Sequence, residues 1–113
     1  MSCLFCKIVS RQIPADIVFE NEHVIGFRDI RPITPVHALV IPKVHLACIR
    51  DATREHAAVL GEVMLAAREV AEKVGLGEKG YRLVVNNGED GGQSVFHLHV
   101  HVLGGRAMAW PPG

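Results

Sequence analysis

Apolar and polar residues follow a short repeat along most of this chain and a longer one across its middle. Asp16 to Glu20 (DIVFE), Val24 to Ile30 (VIGFRDI), His37 to Lys43 (HALVIPK) and Tyr81 to Asn86 (YRLVVN) are rich in β-branched and other apolar residues, which predicts strands. Only Asn21 and Glu22 mark the turn between the first two, so these must pair antiparallel as a hairpin. Pro32 and Pro35 interrupt the chain before the third strand. Pro42 has no N–H to give a ladder, so it must end that strand or lie near an edge.

From Thr53 to Val74 the period lengthens. Val59, Leu60, Val63, Ala67, Val70 and Val74 recur at three- and four-residue steps among charged residues, predicting an amphipathic helix. Thr53 suits its N-cap, Glu69 and Lys73 form an i, i+4 pair, and Gly75 with Gly77 supplies the stop. A short helix is expected within Cys3 to Gln12, set off by Pro14 from the first strand. The last strand is expected over Val95 to Leu103 (VFHLHVHVL), after a loop from Asn87 to Ser94. The order predicts one α+β domain over residues 1–113 with a mostly antiparallel sheet.

Composition narrows the partners. A chain of 113 residues can bury one core but not two, and 12 basic against 12 acidic residues, with no block of one sign, give no electrostatic footprint for nucleic acid or a membrane surface. An anionic ligand must then be held by local geometry. No apolar run approaches the roughly twenty residues of a membrane span, and the first residues lack the pattern of a secretion signal, so a soluble, cytoplasmic protein is expected. Three cysteines are an odd number, and Cys3-Leu4-Phe5-Cys6 in a reducing compartment points to metal or redox chemistry rather than a disulfide. Cys48 reads as an ordinary buried thiol.

The last strand carries the chemistry. Side chains on a strand alternate between faces, so His97, His99 and His101 should project from one side at roughly 7 Å intervals, with Leu98, Val100 and Val102 on the other. One isolated histidine would most simply face solvent, but strand propensity gives no reason for three on one face. Imidazole titrates near neutrality and acts as base, nucleophile or metal ligand. Two chemistries fit: alternate histidines hold zinc with an open position that activates water, or a central imidazole attacks phosphorus or an acyl centre while its neighbours orient it and exchange protons. Asn86 to Ser94 holds three glycines, the amides of Asn86 and Gln93, and the Ser94 hydroxyl. Such a loop can bring backbone N–H groups and neutral donors onto a phosphate, although Asn, Asp and Gly are equally expected in a plain hairpin turn.

His97-Leu98-His99-Val100-His101-Val102-Leu103 resembles the histidine triad signature, His-φ-His-φ-His-φ-φ with φ apolar. IPADIVFENEHVIGFRDI, HALVIPK, YRLVVNNGEDGGQSVFH and the terminal Trp110-Pro111-Pro112-Gly113 extend the resemblance over nearly the whole chain, to the Hint branch of that family. The resemblance implies a five-stranded antiparallel sheet with one long and one short helix, joined to a second subunit in a ten-stranded sheet of a homodimer. It implies hydrolysis of the P–N bond of purine nucleoside 5′-phosphoramidates, such as AMP-NH2 or AMP-lysine, releasing AMP or GMP and needing no cofactor for catalysis.

Carried over by position, His99 is the nucleophile that forms a nucleotidyl-histidine, His97 and His101 flank it, His101 contacts phosphate, and His37 hydrogen-bonds and orients the nucleophile. Asn86, Gly92, Gln93 and Ser94 lie at the phosphate and leaving group, with Ser94 assisting the departing amine. Asp29 accepts ribose hydroxyls, Ile13, Phe27 and Ile30 wall the base pocket, and Trp110 lies near the partner's active site. Without the resemblance, Asp29 could be a solvated carboxylate and the apolar three plain core.

The Cys3/Cys6 pair resembles that of bacterial members, where His45 and His97 would complete a structural zinc site; two free thiols on a short helix are the alternative. Two other classes stay open: a metal-dependent hydrolase, and a nucleotide-binding regulatory module with little turnover.

Overall fold

Five strands form one antiparallel sheet in the order β1-β2-β3-β5-β4. The strands are β1 (Ile17–Glu20), β2 (Val24–Arg28), β3 (Val36–Pro42), β4 (Arg82–Val84) and β5 (Val100–Gly104), with α1 (Leu4–Val9) before them and α2 (Ala57–Lys73) between β3 and β4. This computed structural model describes residues 3–113, so the first two residues of the expected domain lie outside it. Among the described residues no helix is long and apolar enough to cross a membrane.

The period-two alternation divides the core. Val24, Ala38, Val40, Val100 and Val102 point to α2 and pack on Val63, Ala66, Ala67, Val70 and Ala71. Ile25, Phe27, Leu39 and Ile41 point the other way and pack on Phe5 and Ile8 of α1. The small alanine face lets α2 lie close to the sheet, most tightly at Gly26, where an added Cβ would sit 2.6 Å from a Val70 methyl.

Pro42 is the last residue of β3, which lies in the middle of the sheet. A central strand can contain it because the ladder ends there. The expected second strand stops two residues early, since the Asp29 carboxylate accepts the Arg31 N–H at 2.8 Å and turns the chain. Thr53 caps a 3-10 turn (Arg54–His56) that runs straight into α2, closing a capping box with His56. Glu69 pairs with its neighbour Arg68 rather than with Lys73. Gly75 adopts φ +85°, the left-handed conformation that terminates α2.

The largest departure concerns the histidine segment. β5 begins only at Val100, so His97 and His99 precede the strand instead of lying within it. Two bonds outside a regular ladder hold them: the Leu98 N–H donates to Leu46 O, and the His97 carbonyl accepts the ring N–H of His99. β4 is likewise shorter than expected, and Cys48 is half-buried rather than buried.

Candidate active site

The α1 face of the sheet gathers all three triad histidines and His37. His101 stands opposite Leu39 in the β3–β5 register, and His37 lies two residues from Leu39, so both rings share that face. The rings of His99 and His101 meet at 4.9 Å between centroids, and Phe5 closes edge-on against His99 at 5.2 Å and against His97 at 5.9 Å. No role was expected of Phe5; the sequence signal was its pairing with Ile8 on one face of the short helix, which reads as core alone.

Backbone groups decide which nitrogen of each ring carries the proton. A carbonyl can only accept, so His99 Nδ1, 2.8 Å from His97 O, carries the hydrogen and Nε2 holds the lone pair. An amide can only donate, so His37 Nδ1 takes the Ile33 N–H at 3.2 Å and the neutral ring keeps its hydrogen on Nε2. That Nε2–H points to His101 Nδ1 at 2.9 Å, which leaves His101 with its own N–H on Nε2. Burial, then the neighbouring His99 and His37, push His101 down to about 4, and burial also lowers His37, so both rings are neutral near pH 7. His37 therefore orients His101 and not His99, the ring it was expected to hold; the carbonyl of His97 holds His99.

A cleft of about 460 Å³ opens beside these rings. Ile13, Phe27, Asp29, Ile30, Ser94, His99 and His101, all singled out in the sequence, line it. Asp29 presents its carboxylate there while its Oδ2 lies 3.4 Å from His37 Nε2. Arg28, Arg31 and Val95 also line the cleft and were not foreseen.

The remaining loop residues do not line it. Gln93 is buried and its amide is spent: Oε1 accepts Gly88 N–H, and Nε2 donates to Ala47 O and Val95 O. It braces the loop where a phosphate ligand was expected. Gly92 supplies a φ of +81° that a side chain would strain, and Asn86 is half-buried outside the cleft lining.

His97 belongs to a second cluster. Its Nε2–H donates to Pro42 O at 2.8 Å, so its Nδ1 lone pair faces Cys3 Sγ at 3.3 Å, Cys6 Sγ at 3.6 Å and His45 Nδ1 at 3.3 Å. Cys6 Sγ and His45 Nδ1 are 3.4 Å apart, and all four ligand atoms lie within 4.8 Å of one another. Tetrahedral ligands about 2.0–2.3 Å from one zinc sit roughly 3.3–3.8 Å apart, so this donor set fits zinc in composition and size. The carbonyl behind His97 is the kind of partner that fixes a ligating imidazole. Burial, then Cys3, push the Cys6 thiol up. The trio Asp29, His37 and His101 is equally compact but does not suit a metal, because the nitrogen His37 turns inward carries its hydrogen.

The C-terminal tail runs beside β4: Arg82 donates to Ala109 O at 2.9 Å and lies 5.9 Å over the Trp110 ring.

Comparison with known proteins agrees with this architecture. The chain is 54% identical over 110 residues to an uncharacterised HIT-like protein of Synechococcus elongatus, covering 97% of this chain and 96% of the relative. The crystal structure of a HIT family hydrolase from Legionella pneumophila superposes with a TM-score of 0.95 at 50% identity, covering 99% and 100% of the two chains. A zinc-bound histidine triad family protein from Mycobacterium smegmatis matches at 40% identity and TM-score 0.78, covering 94% and 76%. The HIT domain model matches residues 10–108, and with that span, the triad geometry and these relatives together, the chain belongs to the HIT domain family.

Proposed function

We propose that this protein is a hydrolase of the Hint type that cleaves the P–N bond of purine nucleoside 5′-phosphoramidates through a nucleotidyl-His99 intermediate. The observation that carries the reading is the His99 ring, pinned through Nδ1–H to a carbonyl so that the lone-pair nitrogen is Nε2, on a ring that lines the cleft. The purine packs among Ile13, Phe27 and Ile30, and the ribose hydroxyls donate to Asp29. The His101 Nε2–H, kept neutral and held by His37, donates to a phosphate oxygen.

In the first step His99 Nε2 bonds to phosphorus as the P–N bond breaks, and the amine leaves with a proton delivered through the exposed Ser94 hydroxyl. In the second, water bonds to phosphorus, returns that proton by the same route, and the P–His99 bond breaks to release AMP or GMP. Covalent transfer divides one hard displacement into two in-line steps, and fixed donors stabilise the equatorial oxygens in both. The test is turnover of AMP-NH2 with trapping of the labelled enzyme. His99→Ala should lower the rate by on the order of 10⁴-fold and abolish the adduct. Turnover by that variant at the wild-type rate sinks the reading, and absence of any turnover by the wild type favours a binding module.

Structural zinc held by Cys3, Cys6, His45 and His97 belongs to the same proposal. It would supply a rigid tether between α1 and the segment carrying the triad. With four protein ligands the set is complete and has no open position for a reacting water, which argues against the metal-dependent class. A cytoplasmic homodimer is also proposed, with β4 as the joining edge; light scattering at micromolar concentration tests it.

A further inference from the structure

A second cleft, also of about 460 Å³, adjoins the first: Leu4, Ser94 and Val95 line both. We propose that it receives the substituent of the leaving amine and selects neutral apolar amines over cationic ones. The inference rests on the phosphoramidase reading and adds the substrate class that the reading leaves open.

In-line displacement places the leaving nitrogen across phosphorus from His99 Nε2. With the base among Ile13 and Phe27 in the first cleft and phosphate at His99 and His101, the second cleft is the neighbouring space, since Leu4, Ser94 and Val95 line both. Ala47 and Phe96 wall it, and Cys3 and His45 also line it, with their ligand atoms turned to one another and to His97. Leu4 and Phe96 are 48% and 54% exposed, large apolar side chains that the core does not use. Among the described residues no carboxylate lines this cleft. An ammonium there would find no counter-charge, whereas an alkyl or aryl group would cover the exposed apolar surface of Leu4 and Phe96. AMP-lysine is then a poor substrate beside a conjugate of a neutral amine of equal length.

The decisive pair is the adenosine 5′-phosphoramidates of butylamine and of 1,4-diaminobutane, which differ by one terminal charge. For the wild type, kcat/KM for the butyl conjugate should exceed that for the aminobutyl conjugate by about tenfold or more. Phe96→Asp should narrow or invert that ratio by about tenfold, and Phe96→Ala should lower the ratio of butyl conjugate to AMP-NH2. Calorimetric affinities of His99→Ala for the two conjugates should keep the wild-type order. A ratio within about twofold, or one unmoved by either Phe96 substitution, overturns the subsite while leaving the hydrolase reading standing. Preferential butyl binding by His99→Ala without any turnover by the wild type sustains the subsite and removes the hydrolase; failure of either conjugate to bind removes the subsite.

Discussion

Two clusters on the same side of one sheet are built from the same side chain and have opposite chemistry. Around His97 the backbone offers a carbonyl, Pro42 O, so the hydrogen is drawn outward and the lone pair faces Cys3, Cys6 and His45. Around His37 the backbone offers an amide, Ile33 N–H, so the lone pair is drawn outward and the hydrogen faces His101. One arrangement collects lone pairs and suits a cation; the other is a line of hydrogen-bond donors that ends at His101, on the wall of the cleft. Whether an imidazole turns a lone pair or a proton toward its neighbours is thus set by a main-chain atom, not by the ring.

The largest effect expected from breaking this division comes at the metal-fitting cluster. Cys6→Ser, or exhaustive chelation, should remove the proposed zinc, measured by elemental analysis, and cost about 3 kcal/mol or more in urea unfolding, because the energy of binding a metal at a site formed only on folding adds to folding energy. His37→Gln should leave metal content unchanged. Its effect should appear in kcat instead, a loss of about 100-fold with KM for AMP-NH2 altered less, since the His101 N–H would no longer be held in line. Metal loss in that variant would show that the clusters are not separate.

Gly26→Ala sharpens the comparison by acting on neither cluster. The added methyl must displace Val70 on the far face of the sheet, and a loss of about 1–3 kcal/mol in thermal or urea unfolding is expected with zinc content and kcat retained.

The smallest effect is in pH. His101 sits at about 4 when folded and near the ordinary 6.5 when unfolded. Above pH 6.5 the ring is neutral in both states and its contribution to stability is whole. As pH falls from 6.5 toward 4 the unfolded chain takes up a proton that the folded chain refuses, so stability declines, and below 4 this group adds no further change. His37 and His97 are displaced in the same direction, so the wild type minus His101→Asn difference in Tm across that window isolates the effect. A flat difference would mean His101 is charged in the folded protein, and the donor line would lose its neutral member.

Much of this was legible in the chain. HALVIPK read as a strand, which the structure shows over Val36–Pro42, and the spacing of Val63, Ala67 and Val70 marked the side of α2 that packs on the sheet. The triad spacing picked out the face on which the histidines gather, and Asp29, Ser94 and Phe27 line the cleft beside them. Gln93 misled because an amide beside glycines reads as a phosphate donor, while its partners, Ala47 O, Val95 O and Gly88 N–H, become neighbours only when the loop closes. Phe5 was silent because an aromatic on a short amphipathic helix looks like core whichever ring it meets.

Local order in the sequence was sufficient for the hairpin, the long helix and the face that the histidines share, since each depends on spacing over a few residues. Which nitrogen of each histidine holds its proton depended on backbone atoms brought from elsewhere: Pro42 for His97, 55 residues away in the chain, and His37 for His101, 64 residues away. Periodicity cannot encode such pairings, because a hydrogen bond responds to position in space and a sequence pattern records only position along the chain.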